Sequence, residues 1–309
     1  MRALVTGGAG LVGSEIIDLL LETTKVDVVS VDNYVSGNSE NLEKARSFSN
    51  FTELRGDITD EIFLATVFSE GYDWVFHEAV SKNTVSLNNP VKDLHTNALG
   101  TLLLLEATRK TDSKKFIHAS TGSVYGRTTE FPTTEITPTL PVSFYGNSKL
   151  AAENYVRLFS EMFGMETTIL RYFHVFGARQ DRSEIGGVVP HFIDLALSNK
   201  NIEITGDGNQ VRAFTHVSDI AKINLLAAKS DGAAQTFNCA SPTRITINEL
   251  AHKILYLLPQ STSSLKYVAE RKGDIYKFDI ATERLHATLG NIHFMDFDSA
   301  LKKTLSEFH

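Results

Sequence analysis

The chain has 309 residues, 42% of them hydrophobic and 22% charged, with a formal net charge of -7 and a pI near 5.8. This is the composition of a soluble globular protein long enough to bury a large core, and its acidic balance argues against a nucleic-acid or anionic-membrane binder. The single cysteine, Cys239, excludes an internal disulfide framework, which makes a reducing cytoplasm the easier setting.

The opening MRALVTGGAGLVGSEIIDLLL is apolar but interrupted by Glu15 and Asp18, and no apolar run reaches the ~18–20 residues of a membrane span. It reads as neither leader nor anchor. RALVT is the first strand candidate, and SEIIDLLLE is the first segment with apolar residues at helical spacing. Between them TGGAGLVG carries Gly7, Gly10 and Gly13 in a GxxGxxG pattern. Glycine permits the tight turn and the approach of backbone N–H groups to a pyrophosphate, which a helix N-terminus favours. The second strand, VDVVSVD, ends in Asp32, where a carboxylate can accept both hydroxyls of an adenosine ribose and would repel a 2′-phosphate. A dinucleotide site follows, with NAD favoured over NADP.

NLEKARSF is a helix candidate, FTELRGD a strand, IFLATVFSE a helix and DWVFHEA a strand. Asp57 of RGD either accepts from an adenine amino group or is a solvated loop acid. ALGTLLLLEATR, KKFIHAS, KLAAENYVRLFSEMF and TTILRYFHVFG continue the alternation, which implies βαβ units and a parallel sheet. HASTGSVYG at the end of the fifth strand offers hydroxyls from Ser120, Thr121 and Ser123 toward the crevice at the carboxyl ends of the strands. In SFYGNSKLAAE, Tyr145 and Lys149 lie one helical turn apart on one face. The lysine charge, or a nicotinamide cation, could lower the phenol pKa, and Thr121 could share the proton. The YxxxK spacing alone is weak, since an exposed tyrosine and a solvated lysine would show it too. After residue 177 the pattern loosens to IEIT, the GDGNQ turn, INELAHKILYLL, LKYVAE and SALKKTLSEF. The expected organisation is a Rossmann-type doubly wound parallel sheet over 1–177, rejoined by a segment near 211–240, with a smaller interleaved α/β lobe in 178–309. The ligand cleft would lie between them. Ten scattered histidines, with no HExxH and no paired cysteines, give no metal site.

TGGAGLVG, Asp32-Asn33, RGD, STGSVYG, YGNSK, RYFHVFGARQ, GDGNQVRAFTHVSD and ERKGD, in that order, resemble the extended short-chain dehydrogenase/reductase family, over nearly the whole chain. Within it the similarity is to NAD-dependent nucleotide-sugar epimerases and dehydratases, especially those acting at C4 of UDP-glucose. The resemblance implies Thr121, Tyr145 and Lys149 as the catalytic set. It implies NAD contacts from Leu11, Val12, Asp32, Asn33, Asp57, Ile58, Ala79, Lys82, Asn97, Tyr145, Lys149 and Tyr172. It places Thr121, Ser123, His174, Val188, Arg212, Arg271, Asp274 and Phe278 around the substrate. Two arginine forks, Arg212 and Arg271, suit a diphosphate and supply local positive charge that the acidic total lacks. The family also implies a homodimer pairing two helices from each subunit, for which ALGTLLLLEATR and KLAAENYVRLFSEMF are the candidates.

Dehydrating and decarboxylating relatives carry an acid two residues before the tyrosine of the SVYG-type segment. This chain has Gly122 and Ser123 before Tyr125. The resemblance therefore implies oxidation at C4, rotation of the 4-keto sugar and return of the hydride to the other face. Alternatives are an epimerase or 4-keto reductase for another nucleotide sugar, and a silent NAD-binding regulator. Several positions depart from the family pattern: His174 stands for Asn, Glu78 and Val80 for apolar and small residues, and Ala213 for Asp. His174 is either a packed core histidine or a substrate contact. A bulky Phe278 disfavours N-acetylated sugars.

Overall fold

The computed structural model describes residues 1–111, 113–181, 186–232, 234–269 and 279–308. Six strands alternate with helices along its first half. β1 (Arg2–Thr6) leads to α1 (Leu11–Thr23), then β2 (Asp27–Asp32), β3 (Phe51–Arg55), α2 (Glu61–Val67) and β4 (Trp74–His77). Two short helices, α3 (Asn83–Asn88) and α4 (Pro90–Leu94), precede a π-helical turn at His95–Leu99 and α5 (Gly100–Lys110). β5 (Lys115–Thr121), α6 (Phe144–Phe163) and β6 (Glu166–Tyr172) follow.

These strands obey a period of two. Ala3, Val5, Val28, Phe76, Ile117 and Leu170 point to one face, while Leu4, Val29, Val75, Phe116 and Ile169 point to the other. Each face is covered by helices, which is why the strands read as near-continuous apolar runs. Ile16, Ile17 and Leu20 of α1 cover the first face, and Leu64, Leu104, Leu105, Val156 and Phe159 from α2, α5 and α6 cover the second.

The chain then builds β7 (Val175–Phe176), α7 (Val188–Leu197), β8 (Ile202–Thr205), β9 (Val211–Arg212) and β10 (Thr215–His216). α8 (Val217–Lys229) and β11 (Gln235–Cys239) return to the main sheet, with Ile220 and Ile223 beside α1 and Phe237 in the same core. β11 pairs in parallel with β6, giving the seven-strand order β11-β6-β5-β4-β1-β2-β3 with every pairing parallel. This is the doubly wound order, whose switch point lies between β1 and β4. β12 (Ile245–Thr246), α9 (Ile247–Leu257), β13 (Leu265–Val268), α10 (Glu283–Leu289) and α11 (Phe297–Ser306) complete the chain. A separate core of Phe192, Ile193, Ile202, Leu250, Ile254 and Leu301 holds α7, β8, α9 and α11 together.

Two expected elements differ. NLEKARSF is not a helix but two 3-10 turns, Ser39–Leu42 and Ala45–Ser47. Asn38 caps the first by accepting from the Glu40 N–H at 3.1 Å, and only Leu42 and Ala45 are buried, too small a face to hold a longer helix. The strand expected over 167–177 stops at Tyr172, because His174 adopts a φ of 43°. β7 beyond it pairs with β10 in a sheet of its own.

Candidate active site

A cleft of about 760 Å³ opens at the carboxyl ends of β1, β2, β4, β5 and β6. Gly7 follows β1 at a φ of 69°, and a Cβ there would lie 2.6 Å from the Ala79 nitrogen. Gly13 is needed for a different contact: its Cβ would meet the Gly7 carbonyl oxygen at 2.3 Å, so helix and loop close only without a side chain. Gly10 precedes α1 with no side-chain cap, leaving the first N–H groups of that 13-residue helix facing the cleft. This cradle fits a pyrophosphate.

At one end of the cleft Asp32 accepts from the Ala9 N–H at 3.0 Å through Oδ2 and from the Tyr34 N–H at 2.8 Å through Oδ1. Burial raises its pKa and these backbone donors pull it back. Gly37 packs in front, where a Cβ would sit 2.9 Å from both carboxylate oxygens. A ribose can therefore reach the acid only because no side chain stands there. Gly7, Gly10, Leu11, Val12, Gly13, Asp32, Asn33, Ile58, Ala79, Lys82, Tyr145, Lys149 and Tyr172 all line the cleft.

Asp57 and Asn97 do not line it. Asp57 stands behind Asn33, accepting from its side-chain amide at 2.8 Å and from the Thr59 N–H and hydroxyl at 2.9 and 2.8 Å. Asn97 is fully buried in the π-helical turn. It accepts from the Ser81 N–H at 2.8 Å and donates to Asp93 at 2.9 Å and to Ser148 at 3.0 Å, so it ties the β4 loop to α6. Lys82 pairs with Asp181 at 3.1 Å.

At the opposite end from Asp32, Ser143 caps α6 by accepting from the Gly146 N–H at 3.0 Å. Tyr145 sits in the first turn and Lys149 one turn on, 1% exposed. The Thr121 hydroxyl, at the end of β5, hydrogen-bonds the Tyr145 phenol. The tyrosine pKa is not depressed, as the pairing suggested: burial pushes it up to about 12 against that hydrogen bond. Burial likewise brings Lys149 down to about 8, while Glu78, Glu153 and Asp93 hold its proton. The lysine charge is thus shared among three carboxyls.

His174 and Arg212 stand together away from this cleft. His174 packs edge-on to Phe214 with ring centroids 6.0 Å apart, and burial, then the Arg212 and Arg244 charges, lower its pKa to about 3. It is a neutral imidazole beside two guanidinium groups. Ala213 is buried among Val124, Tyr125, Phe173 and Ile280, with the His174 ring hydrogen-bonded to its main chain. Val188 opens α7, and Ser123 is exposed with its hydroxyl 3.2 Å from that of Thr121. Arg271, Asp274 and Phe278 lie outside the described residues.

Sequence reading missed Ser36, Asn38 and Asn41, which line the ribose end; Asn41 donates to the Ala9 carbonyl at 2.8 Å. The only signal was the turn-rich run NYVSGNSEN. It also gave no role to Arg244 or to Glu78, a cleft residue beside Lys149.

Comparison with known proteins agrees with this geometry. The description of the NAD dependent epimerase/dehydratase family matches residues 3–240. A protein named putative UDP-glucose 4-epimerase from Methanocaldococcus jannaschii is 35% identical over 305 residues, covering 98% of this chain and 97% of its own. The crystal structure of UDP-glucose 4-epimerase with UDP-glucose from Thermotoga maritima superposes with a TM-score of 0.93 at 35% identity, over 100% of this chain and 98% of that one. UDP-N-acetylglucosamine 4-epimerase from Methanobrevibacter ruminantium, in complex with UDP-N-acetylmuramic acid, gives 0.92 at 33% identity, over 99% and 97%.

Proposed function

We propose that this chain, which belongs to the NAD-dependent epimerase/dehydratase family and takes NAD as its cofactor, inverts C4 of a UDP-hexose, interconverting UDP-glucose and UDP-galactose through a 4-keto sugar. One observation carries the choice among family reactions. Position 122 has no room for an acid, because a Cβ on Gly122 would lie 2.2 Å from the Phe173 ring, and position 123 presents only a hydroxyl. Neither of the two residues that follow Thr121 thus supplies the second proton-transfer group needed for dehydration or decarboxylation. Relatives named UDP-glucose 4-epimerase support the same reading.

When bound, NAD would supply the acceptor for the C4 hydride and the donor that gives it back to the sugar. Tyr145 moves the O4 proton. Its phenol keeps its own proton at neutral pH in the free protein, so positive charge must come to its side for that proton to leave to solvent before the oxygen can accept the one from O4. Lys149 and the oxidised cofactor are the cations available. Thr121, already bonded to the phenol, orients it and shares the proton. Asp32 holds the adenosine ribose, Arg212 and Arg271 hold the substrate diphosphate, and the sugar lies between Thr121 and the segment carrying His174. Residues 1–177 with 211–240 form the cofactor half, and the remainder of 178–309 forms the sugar-nucleotide lobe.

A second copy of the chain completes the assembly in this reading. α6 exposes Tyr155, Leu158, Met162 and Phe163, and the helices and turn before it expose Leu87, Val91, Leu94 and Leu99, apolar side chains left facing outward. Light scattering after gel filtration should give twice the chain mass.

The decisive experiment incubates the protein with UDP-, GDP-, CDP- and dTDP-hexoses without added cofactor and follows products by NMR. UDP-glucose and UDP-galactose should equilibrate catalytically. A requirement for stoichiometric NAD(P)H would identify a reductase instead, and efficient turnover of UDP-N-acetylglucosamine would move the assignment to acetylated sugars.

A further inference from the structure

Glu78 is a carboxyl that the reaction above leaves without a role. It stands just beyond β4, lines the cleft and is 8% exposed. Its main chain presses on the phosphate loop, its carbonyl carbon 2.7 Å from where a Gly7 Cβ would be. A chain of hydrogen bonds aims its side chain: Asn224 Nδ2 donates to the Tyr172 oxygen at 2.7 Å, and the Tyr172 hydroxyl donates to Glu78 Oε1 at 2.9 Å. Lys149 of α6 faces it with a positive charge, and Cys239 of β11 is a further titratable neighbour.

The cleft has a direction. Asp32 marks the adenosine end and the glycine loop the pyrophosphate, so the second nucleoside of a bound dinucleotide extends toward Tyr145, Tyr172 and Glu78. That nucleoside carries nicotinamide, a cation when oxidised and neutral when reduced. A buried carboxylate in poorly screened surroundings binds the two forms unequally, whereas contacts to ribose and phosphate treat them alike.

We propose that Glu78, aimed by Tyr172 and Asn224, sets the oxidised-to-reduced balance of the bound nicotinamide by favouring the cationic form. The cofactor is thereby biased toward giving its hydride back, which a reaction with no net redox change requires at every turnover. The inference rests on the cofactor reading of the cleft and not on the identity of the sugar. Burial raises the Glu78 pKa to about 7, against the Tyr172 hydrogen bond and the Lys149 charge, so the carboxylate is present above that pH and is lost below it.

The test measures dissociation constants of NAD and of NADH by calorimetry, without sugar, for the wild type and for Glu78→Gln, which removes the charge and keeps an acceptor for Tyr172. The wild type should prefer NAD more strongly than the variant by about tenfold, equivalent to ~1.4 kcal/mol. Between about pH 7 and 5, where Lys149 is already mostly protonated, the wild-type preference should shrink toward that of the variant, whose own ratio stays flat. Equal ratios in the two proteins, or two affinities that fall together, would overturn the proposal and leave Glu78 a structural residue. Should Glu78→Gln fail to fold, the wild-type series decides alone, and a flat ratio refutes. Failure to epimerise any UDP-sugar would leave these binding results intact.

Discussion

Replacing Lys149 with methionine should destroy turnover and stabilise the ligand-free fold. The amine is 1% exposed, and the fall of its pKa from 10.5 to about 8 represents ~3 kcal/mol charged against the protonated folded state. Methionine is unbranched and close in length, so it fills the same channel without that cost. Part of the gain is returned, because Glu78, Glu153 and Asp93 lose a neighbouring cation. Glu153 keeps the Arg171 guanidinium at 2.7 Å, Asp93 keeps Asn97 at 2.9 Å, and Glu78 can take up a proton. The net expectation is about 2 kcal/mol of added stability at pH 7. Because the folded pKa lies below the unfolded one, the unfolded wild type holds the extra proton between about pH 8 and 10.5, and wild-type stability rises through that window. The advantage of Lys149→Met should therefore fade as pH rises from 8 to 10.5. Urea unfolding of both proteins at pH 7 and pH 10 measures it. A variant less stable at pH 7, or a difference independent of pH, would refute the claim that the buried charge is a cost retained for chemistry.

Tyr145→Phe should lower turnover about 10²–10⁴-fold while NAD still copurifies at the wild-type stoichiometry, read from the absorbance of released cofactor. Gly13→Ala places a methyl 2.3 Å from the Gly7 oxygen and should cost about 1–3 kcal/mol in thermal unfolding, with a larger loss of NAD affinity than of stability. Glu153→Gln should cost about 3–5 kcal/mol, since it strands Arg171, which is 3% exposed. Against burial, the Arg171, Ser120 and Arg157 bonds hold Glu153 below its usual pKa. Its contribution is thus present above about pH 4.5 and lost as pH falls through the folded value, and acid titrations of unfolding should be shallower in the variant.

The parts of this site that follow local rules were legible in the chain. Gly7, Gly13 and Asp32 could be read because a tight turn, a close helix approach and a ribose acceptor each demand a residue type at a spacing. Tyr145 and Lys149 could be placed on one helix face by the same means. Contacts made across the sheet could not. Asn97 was expected against the cofactor, yet it ties the β4 loop to α6, because nothing in its neighbourhood along the chain reveals Ser81 and Ser148 as partners. Tyr145 was expected to be acidic from its spacing to a lysine, but spacing is silent about burial, which raises its pKa. The loop carrying Asn38 and Asn41 has three apolar positions at helical spacing and still failed as a helix, since Leu42 and Ala45 are buried while Phe48 packs only partly against the core. The strand break at His174 arises from one positive φ that no composition rule anticipates.

β11 joins the sheet at its β6 edge, 63 residues after β6 ends. Every residue that shapes the glycine loop, the ribose acceptor and the Tyr145 helix is made before that edge can be covered. On a translating ribosome the cofactor cradle would be complete while the outer edge of β6 still exposed unpaired main-chain groups, an invitation to pairing with other nascent chains. Early capture of NAD would add binding energy to a half-finished sheet and shorten that exposure. The cofactor would then act first as a folding aid and only afterwards as a reagent, and starving cells of it should lower the yield of soluble protein as well as its activity.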